Sequence, residues 1–286
     1  MGSGLAGDLL CRAAHPAKPL RGRDGLCISL LECAKFRGEG TGLSNFLASA
    51  FHSVRKSALD AARRALPQRC ELCAAPSADS ILCRDCSREL PWLEHVCPIC
   101  ALPTSDDAIC GQCLAHPPPF DATVAACAYA FPVDRLIHAF KYQGRLSLAE
   151  WCADAILAAG RRRSPMRLAR LIALPLSQER QRERGCNQAA EIARALAAKT
   201  GVALMGDGVR RTRATPAQAA LPWPERARNV RGAFSCDVDM RGLSVAVVDD
   251  VMTTGATLAE FAKTLKAAGA AHVENWVVAR TLQPVG

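Results

Sequence analysis

The chain has 286 residues, half of them apolar, which is enough for one full domain with a sizeable core and a smaller module beside it. It contains neither the apolar run of about 18 residues that a membrane span needs nor a compact apolar stretch behind a basic N-terminus, which would indicate a secretory signal. We therefore expect no membrane span and a cytoplasmic location.

The formal net charge is +9, and the basic surplus is concentrated in three places. Residues 1–69 contain eleven Lys/Arg against five Asp/Glu, residues 161–184 contain eight Arg against two Glu, and residues 210–231 contain six Arg against one Glu. Such clusters suit ligands that carry phosphate groups, including nucleic acid. A solvated arginine-rich surface without a ligand is the alternative.

The chain begins with a segment that has no regular pattern. Residues 1–43 mix Gly, Pro, Arg and isolated apolar residues, and we expect a poorly ordered basic extension. Residues 44–67 are different, because Phe46 and Val54 share one helical face and Pro67 ends the helix. This amphipathic helix packs on its own protein in the simpler interpretation and lies on a membrane surface in the alternative.

Residues 68–116 form a cysteine-rich module with four Cys-x-x-Cys pairs. Four thiolates complete a tetrahedral zinc site, and the two-residue gap lets both sulfurs of a pair face one ion. A segment of this size buries little apolar surface, so that a metal must hold it together. The sequence therefore predicts a double zinc ribbon with two structural Zn²⁺ ions, held by Cys70, Cys73, Cys83, Cys86, Cys97, Cys100, Cys110 and Cys113.

The assignment of pairs to ions has two solutions. Sequential pairing gives two successive ribbons, whereas interleaved pairing gives one cross-braced unit. The gaps of nine residues after Cys73 and after Cys100 are equal and favour sequential pairing. An iron–sulfur cluster is the weaker alternative, because such clusters usually have more closely spaced cysteines.

Residues 120–286 alternate between apolar strands and helices, which predicts an α/β domain with a parallel sheet covered by helices on both faces. Three prolines at 117–119 indicate a stiff linker before it. Asn187 is the expected N-cap of one helix, which ends near Gly201. The predicted strands are Thr123–Phe131, Leu171–Leu176, Leu243–Val248 and Val273–Ala279; the predicted helices start near Val133, Leu148, Asn187 and Leu258.

A candidate ligand site follows the strand Leu243–Val248, where two carboxylates, Asp249 and Asp250, precede a loop rich in Thr and Gly. In parallel α/β sheets, ligands bind at the carboxyl ends of strands. Adjacent carboxylates can accept hydrogen bonds from the two hydroxyls of a ribose, and the loop hydroxyls and N–H groups can surround a phosphate. Gly255 permits close backbone approach, and the N-terminus of the next helix favours an anion. The alternative is a polar loop that only caps the helix.

The string from Val245 to Thr257 resembles the signature of type I phosphoribosyltransferases, and together with the preceding cysteine pairs it resembles the ComF family of bacterial competence proteins. The resemblance covers about residues 60–282. Three other segments agree with it: Phe140–Arg145, Arg182–Gln188 and Arg210–Arg213. The resemblance implies a type I phosphoribosyltransferase-like parallel sheet flanked by helices, preceded by the small double zinc ribbon.

The resemblance also implies roles for individual residues. The ligand is phosphoribosyl pyrophosphate with Mg²⁺, and the catalytic acids that hold its ribose are Asp249 and Asp250. The 5′-phosphate is held by Thr253, Thr254, Gly255, Ala256 and Thr257. The pyrophosphate meets Pro175, Leu176 and Ser177, and the candidates for neutralising its charge are Lys141, Arg145, Arg182, Arg184, Arg210 and Arg211.

Three functions are compatible with these patterns. The first is an active phosphoribosyltransferase with an unknown acceptor. The second is a non-catalytic protein of the same fold that senses the ligand and binds a partner. The third is a nucleic-acid adaptor, because ComF-type proteins act in the uptake of transforming DNA. Single-stranded DNA and a ComFA-like helicase are the partners that this third function implies.

Overall fold

The computed structural model of the chain describes residues 68–77, 80–162, 168–213 and 230–282. The predicted basic extension and the predicted amphipathic helix, residues 1–43 and 44–67, lie outside these ranges. Within the described residues, no helix is both long enough and apolar enough to cross a membrane.

The cysteine-rich module consists of short elements around its cysteine pairs. Strand β1 (Gln68–Arg69) pairs antiparallel with β2 (Pro76–Ser77), and helices α1 (Arg84–Arg88) and α2 (Gly111–Ala115) begin directly after Cys83 and Cys110. The Sγ of Cys83 accepts the backbone N–H of Cys86 over 3.5 Å and thereby caps α1. These helices are only five residues long, so their geometry depends on the cysteine pairs and not on helix propensity.

The rest of the described chain is an α/β domain. Its five-stranded sheet has the order β3-β9-β8-β4-β5, and all neighbours in it are parallel. A separate two-stranded antiparallel ribbon joins β6 to β7. In chain order, the elements are β3 (Ala122–Ala128), α3 (Val133–Tyr142), α4 (Leu148–Gly160), β4 (Arg170–Ala173), α5 (Gln178–Arg184), α6 (Gln188–Thr200), β5 (Leu204–Met205), β6 (Val209–Arg211), β7 (Phe234–Cys236), β8 (Ser244–Met252), α7 (Ala256–Ala267) and β9 (His272–Arg280).

The sheet is buried on both faces, as the continuous apolar runs predicted. In β8, Val245 and Val247 pack into the cluster that includes α7, whereas Ala246 and Val248 pack into the cluster that includes α4 and α6. All four are fully buried. The predicted α/β fold, with a parallel sheet between layers of helices and a cysteine-rich module before it, is confirmed.

The ends of helix α6 follow from its sequence. The Oδ1 of Asn187 accepts the N–H of Ala189 over 3.1 Å, and Gly201 ends the helix with a positive φ of 73°. Both caps were predicted, because Asn is a preferred N-cap and Gly is the preferred residue after a helix. The side chains of Ile192 and Leu196 face the core of the protein.

Strand β8 is longer than predicted and contains both candidate acids. Its ladder with β9 continues past Val248, with Asp249 opposite Val277 and Val251 opposite Ala279. The prediction that the strand ends before the acids was therefore wrong, because pairing with β9 continues the extended backbone although the apolar side chains have stopped. Strand β4 is shorter than predicted and ends at Ala173; Pro175 follows soon after and has no N–H for a ladder.

The segment between the two halves of the cysteine-rich module lies along the outer edge of the sheet. The N–H of Leu93 donates to the carbonyl of Ala126 over 2.9 Å, and the N–H of Ala128 donates to the carbonyl of Pro91 over 2.8 Å. Trp92 and Cys127 form an antiparallel bridge between these two contacts. The module is thus joined to the α/β domain by backbone hydrogen bonds as well as by the chain.

Candidate functional site

The loop between β8 and α7 lies at the carboxyl edge of the sheet. Gly255 has a φ of 80°, a conformation that side chains disfavour, and a Cβ there would lie 2.6 Å from the Met252 Cε. The Thr254 Oγ1 accepts the N–H of Ala256 over 3.2 Å. No acidic residue lies in the first turn of α7, so the positive end of its dipole faces this loop uncompensated. A helix N-terminus of this kind favours an anion, and we call the three loop residues with the first two residues of α7 the Thr253–Thr257 loop.

The two acids at the end of β8 differ in their surroundings. Asp250 is buried, and its Oδ2 lies 2.9 Å from the Lys141 Nζ at the end of α3. Asp249 is half-buried, and its Oδ1 accepts the N–H of Asp250 over 2.9 Å. Lys141 was expected to neutralise pyrophosphate, and in the structure it is the direct ion-pair partner of Asp250.

Asp249 is difficult to ionise. Burial and the neighbouring charge of Asp250 raise its pKa to about 7, from the ordinary value of 3.8. Lys141, the N–H of Asp250 and Arg184 oppose this shift and favour the carboxylate. A hydrogen-bonding or cationic ligand at this position would favour the ionised form further.

Two of the predicted arginines lie near the acids. Arg184 stacks over the Tyr142 ring at 5.5 Å, and its charge acts on Asp249. Arg211 stacks over the Phe234 ring at 5.4 Å. Burial and the charge of Arg180 lower the pKa of Arg211, whereas the charge of Asp249 acts in the opposite direction. Stacking holds both guanidinium groups at the rim of the site without neutralising them.

The second predicted ligand turn follows β4, which is the neighbour of β8 in the sheet. The N–H of Leu174 donates to the Val248 carbonyl over 2.9 Å. Ser177 is buried and caps α5 by accepting the N–H of Arg180 over 3.4 Å. The turn Pro175–Ser177 and the Thr253–Thr257 loop thus lie at the carboxyl ends of two adjacent strands.

Of the three remaining predicted arginines, two pair with acids elsewhere and one is exposed. Arg145 pairs with Glu71 of the cysteine-rich module at 3.6 Å, and Arg210 pairs with Asp237 at 2.5 Å on the ribbon of β6 and β7. Arg182 is exposed on α5. Their part in a ligand site stays a prediction.

Sequence reasoning missed Arg280, the last residue of β9. It is 2% exposed, and its guanidinium donates to carbonyl oxygens of Cys100 and of the loop at the end of β8. The signal was a charged residue directly after the apolar run Trp276–Ala279, because a charge in a sheet that is buried on both faces needs partners.

The eight paired cysteines form two groups, Cys70/Cys73/Cys83/Cys86 and Cys97/Cys100/Cys110/Cys113. Within each group, the four sulfurs lie within 4.8 Å of one another. Sequential pairing, which the equal gaps favoured, is therefore confirmed. Four thiols at this separation fit a tetrahedral Zn²⁺ with no open position.

At one cysteine of each group, backbone N–H groups favour the thiolate, which is the form that binds metal. Burial raises the pKa of Cys70, but N–H donors from Cys83, Cys73 and Leu72 outweigh burial and lower the pKa to about 6. In the second group, N–H donors from Cys110, Cys100 and Ile99 likewise lower the pKa of Cys97 to about 7. These donors fit two structural zinc ions.

Metal analysis of the purified chain is expected to give about two zinc ions, one per group of four cysteines. Cys86→Ser and Cys113→Ser should each lower the content to about one, because three thiolates hold zinc less tightly than four. Cys236→Ser is the matched control, since Cys236 lies outside both groups and contacts the Val238 carbonyl. Near-zero zinc in wild-type protein that has never met a chelator would contradict the assignment.

Known proteins resemble parts of this chain. Residues 61–114 match the family model described as a double zinc ribbon domain. Among solved structures, the glutamine phosphoribosylpyrophosphate amidotransferase of B. subtilis, in complex with ADP and GMP, is 21% identical with a TM-score of 0.30. The match covers 46% of this chain and 25% of that one. Leishmania donovani UMP synthase is 20% identical with a TM-score of 0.28, and 50% and 22% of the two chains are covered.

Curated relatives match over the larger part of their length. The DNA utilization protein YhgH of Escherichia coli K12 and that of Salmonella typhimurium are each 36% identical over 168 residues, which is 57% of this chain and 74% of theirs. Competence protein F of Haemophilus influenzae is 32% identical over 168 residues, with 56% and 73% covered. With its double zinc ribbon and this identity to YhgH and competence protein F, the chain belongs to the ComF family.

Proposed function

We propose that the chain binds phosphoribosyl pyrophosphate with Mg²⁺ at the carboxyl edge of its parallel sheet. The observation that carries this proposal is that Asp249 and Asp250 lie near the end of β8 and that the Thr253–Thr257 loop follows the same strand. A ribose diol and a phosphate need these two features side by side. The family's type I phosphoribosyltransferase signature, read on the same residues, agrees with it.

Each group has a part in the proposed complex. Asp249 and Asp250 accept the two ribose hydroxyls, and the Thr253–Thr257 loop surrounds the 5′-phosphate with N–H and hydroxyl groups. The turn Pro175–Ser177 faces the pyrophosphate, whose charge Arg184 and the other arginines offset. Mg²⁺ would enter with the ligand, because it commonly binds through substrate phosphates, and it would offset part of their charge.

The ion pair of Lys141 and Asp250 bears on how the ligand enters. A ribose hydroxyl donates to the carboxylate oxygen that Lys141 contacts at 2.9 Å, so that the diol competes with the ammonium for Asp250. Once released, Lys141 is free to meet the pyrophosphate. We infer that Lys141 pairs with Asp250 before binding and becomes a ligand contact afterwards.

The proposed reaction is a phosphoribosyl transfer, in which a nucleophile attacks C1 of the ribose and pyrophosphate leaves. Charge stabilisation of the leaving group is then the main task of the site. A non-catalytic sensor of the same ligand needs the same ribose and phosphate contacts. Pyrophosphate release in a screen of nitrogenous acceptors distinguishes the two, since a sensor releases none.

Replacing both Asp249 and Asp250 by Asn should weaken binding of phosphoribosyl pyrophosphate by about a hundredfold or more, because two charge-assisted hydrogen bonds are lost. Gly255→Val should abolish binding, since its side chain would meet Met252 at a backbone conformation that Val does not adopt. Calorimetric titration with Mg²⁺ measures both effects. Asp239→Asn, at an exposed acid paired with Arg241, is the control.

Zinc content should stay at the wild-type value in the Asn variant, which reports that the chain has folded. A folded wild-type chain that does not bind the ligand, or acid variants that bind it as well as the wild type, would mean that the site has another purpose.

Affinity for phosphoribosyl pyrophosphate should fall as the pH is lowered through about 7. With the pKa of Asp249 raised to about 7, a proton must leave before the carboxylate accepts a hydroxyl, which costs about tenfold in affinity per pH unit below that value. The ratio of wild-type to Asp249→Asn affinity cancels titration of the ligand's own phosphates. It should rise between about pH 6 and pH 8, and a constant ratio would contradict an ionisable Asp249 in the site.

The raised pKa of Asp249 also makes the stability of the fold depend on pH. The folded chain holds the Asp249 proton more tightly than the unfolded chain. The contribution of this proton to the free energy of unfolding is therefore complete below pH 3.8 and is lost as the pH rises through about 7. Ligand binding thus improves over the pH range in which this residue stabilises the fold less.

A second function, binding of single-stranded DNA, is suggested by the names of the relatives and by one surface. Tyr129, Phe131 and Tyr142 are exposed aromatic residues at the carboxyl edge, and Phe131 is 71% exposed. The Arg135 guanidinium lies 5.9 Å from the Phe131 ring, and Arg184 lies over Tyr142. Aromatic rings beside arginines are typical of single-strand binding surfaces. A ComFA-like helicase would then be the partner that supplies the strand.

Phe131→Ala should weaken binding of a single-stranded oligonucleotide by about tenfold, the value of one stacked base. Binding should also weaken steeply as salt is added, because phosphate contacts release counterions. Fluorescence anisotropy at several salt concentrations measures both, with the exposed apolar Val238→Ala as control. Lack of binding at low salt would remove this function.

A further inference from the structure

Arg280 ends strand β9 with its side chain inside the protein and 2% exposed. Its Nε donates to the Cys100 carbonyl over 2.9 Å. Its Nη1 donates to the carbonyls of Met252 at 3.2 Å, Thr281 at 2.7 Å and Thr253. A buried guanidinium needs such partners, because its charge has lost its hydration.

These acceptors belong to two functional parts of the chain. Cys100 is a member of the second group of four cysteines, and Thr253 begins the loop that follows β8. A planar guanidinium with fixed N–H directions can hold two such carbonyls at a set separation. Arg280 therefore fixes the start of the loop against the second ribbon.

The charge of the second ribbon supports this contact. Four thiolates and one Zn²⁺ carry a net charge of −2, and the Coulombic attraction of Cys100, Cys113 and Cys110 acts on Arg280. With its metal bound, this ribbon is thus an anionic partner for a cation that burial disfavours.

Apolar packing follows the same path. Ala101, next to Cys100, is fully buried and shares one core cluster with Met252 and Phe120. Phe120 and Met252 are the residues that a Cβ on Gly255 would meet. The second ribbon, Arg280 and the loop are therefore one continuous packed unit.

The first ribbon is connected differently. Cys70, Leu82 and Leu90 pack into the other core cluster, with α3 and α4. Its ion pair near the site is between Glu71 and Arg145, whose side chain is 55% exposed, and exposed pairs contribute little.

We propose that Arg280 is a positioning residue that makes the conformation of the Thr253–Thr257 loop depend on zinc in the second cysteine group, and not on zinc in the first. Loss of that zinc releases the Cys100 carbonyl, and the guanidinium can no longer hold Thr253 in place. The effect on the conformation of the loop does not require a ligand. The effect on the affinity for phosphoribosyl pyrophosphate rests on the proposed function.

The test is hydrogen–deuterium exchange of the peptide that covers residues 252–257, in the full chain. Arg280→Lys keeps the charge but cannot span both carbonyls, and it should speed exchange there about tenfold while both zinc ions remain bound. Cys110→Ser, in the second group, should do the same, whereas Cys73→Ser, in the first group, should not. Arg194→Lys, at an exposed helix position, is the matched control.

Helix α6 distinguishes positioning from general loss of stability, because its exchange should be unchanged in Arg280→Lys. Unaltered exchange of 252–257 in that variant, or equal acceleration of α6, would overturn the proposal, as would equal effects of Cys73→Ser and Cys110→Ser. Titration with phosphoribosyl pyrophosphate is a separate arm: if the wild type binds it, Arg280→Lys should bind about tenfold more weakly. A wild type that does not bind it refutes the proposed function, while the exchange arm still decides the role of Arg280.

Discussion

Two adjacent carboxyl groups at the end of a strand buried on both faces are the constraint around which the site is arranged. Ionising both is costly there, as the raised pKa of Asp249 indicates. The ion pair of Lys141 with Asp250 offsets part of this cost, and Arg184 and Arg211 add positive potential at the rim. The strand can end in two acids because α3, α5 and β6 bring cations to them.

The two zinc ribbons and the α/β domain pack against each other and form one structure. The segment Pro91–Leu93 bonds to β3, and Arg280 joins the second ribbon to the end of β8. The first ribbon shares its core with α3 and α4. The order of the site therefore depends on packing from both sides of the sheet.

Much of this architecture follows from local sequence. The spacing of the cysteine pairs determines which four cysteines form a group, and Asn187 and Gly201 determine the ends of α6. Both are local effects between residues that are close in the sequence. The length of β8 and the partners of Lys141 and Arg280 were not predictable in this way. They depend on contacts between residues that are far apart in the chain; Arg280 and Cys100 are 180 positions apart. A periodic sequence pattern does not predict such contacts.

The bonds that Pro91 and Leu93 make with β3 also bear on association between chains. Strand β3 is an outer strand of the sheet, seven residues long and almost entirely apolar. An uncovered edge of this kind is a template for another molecule's strand. The segment that covers it lies between the two cysteine groups, so chains made without metal would have a loosely held cover. Without zinc, the edge of β3 would then be open to pairing with a strand of another chain.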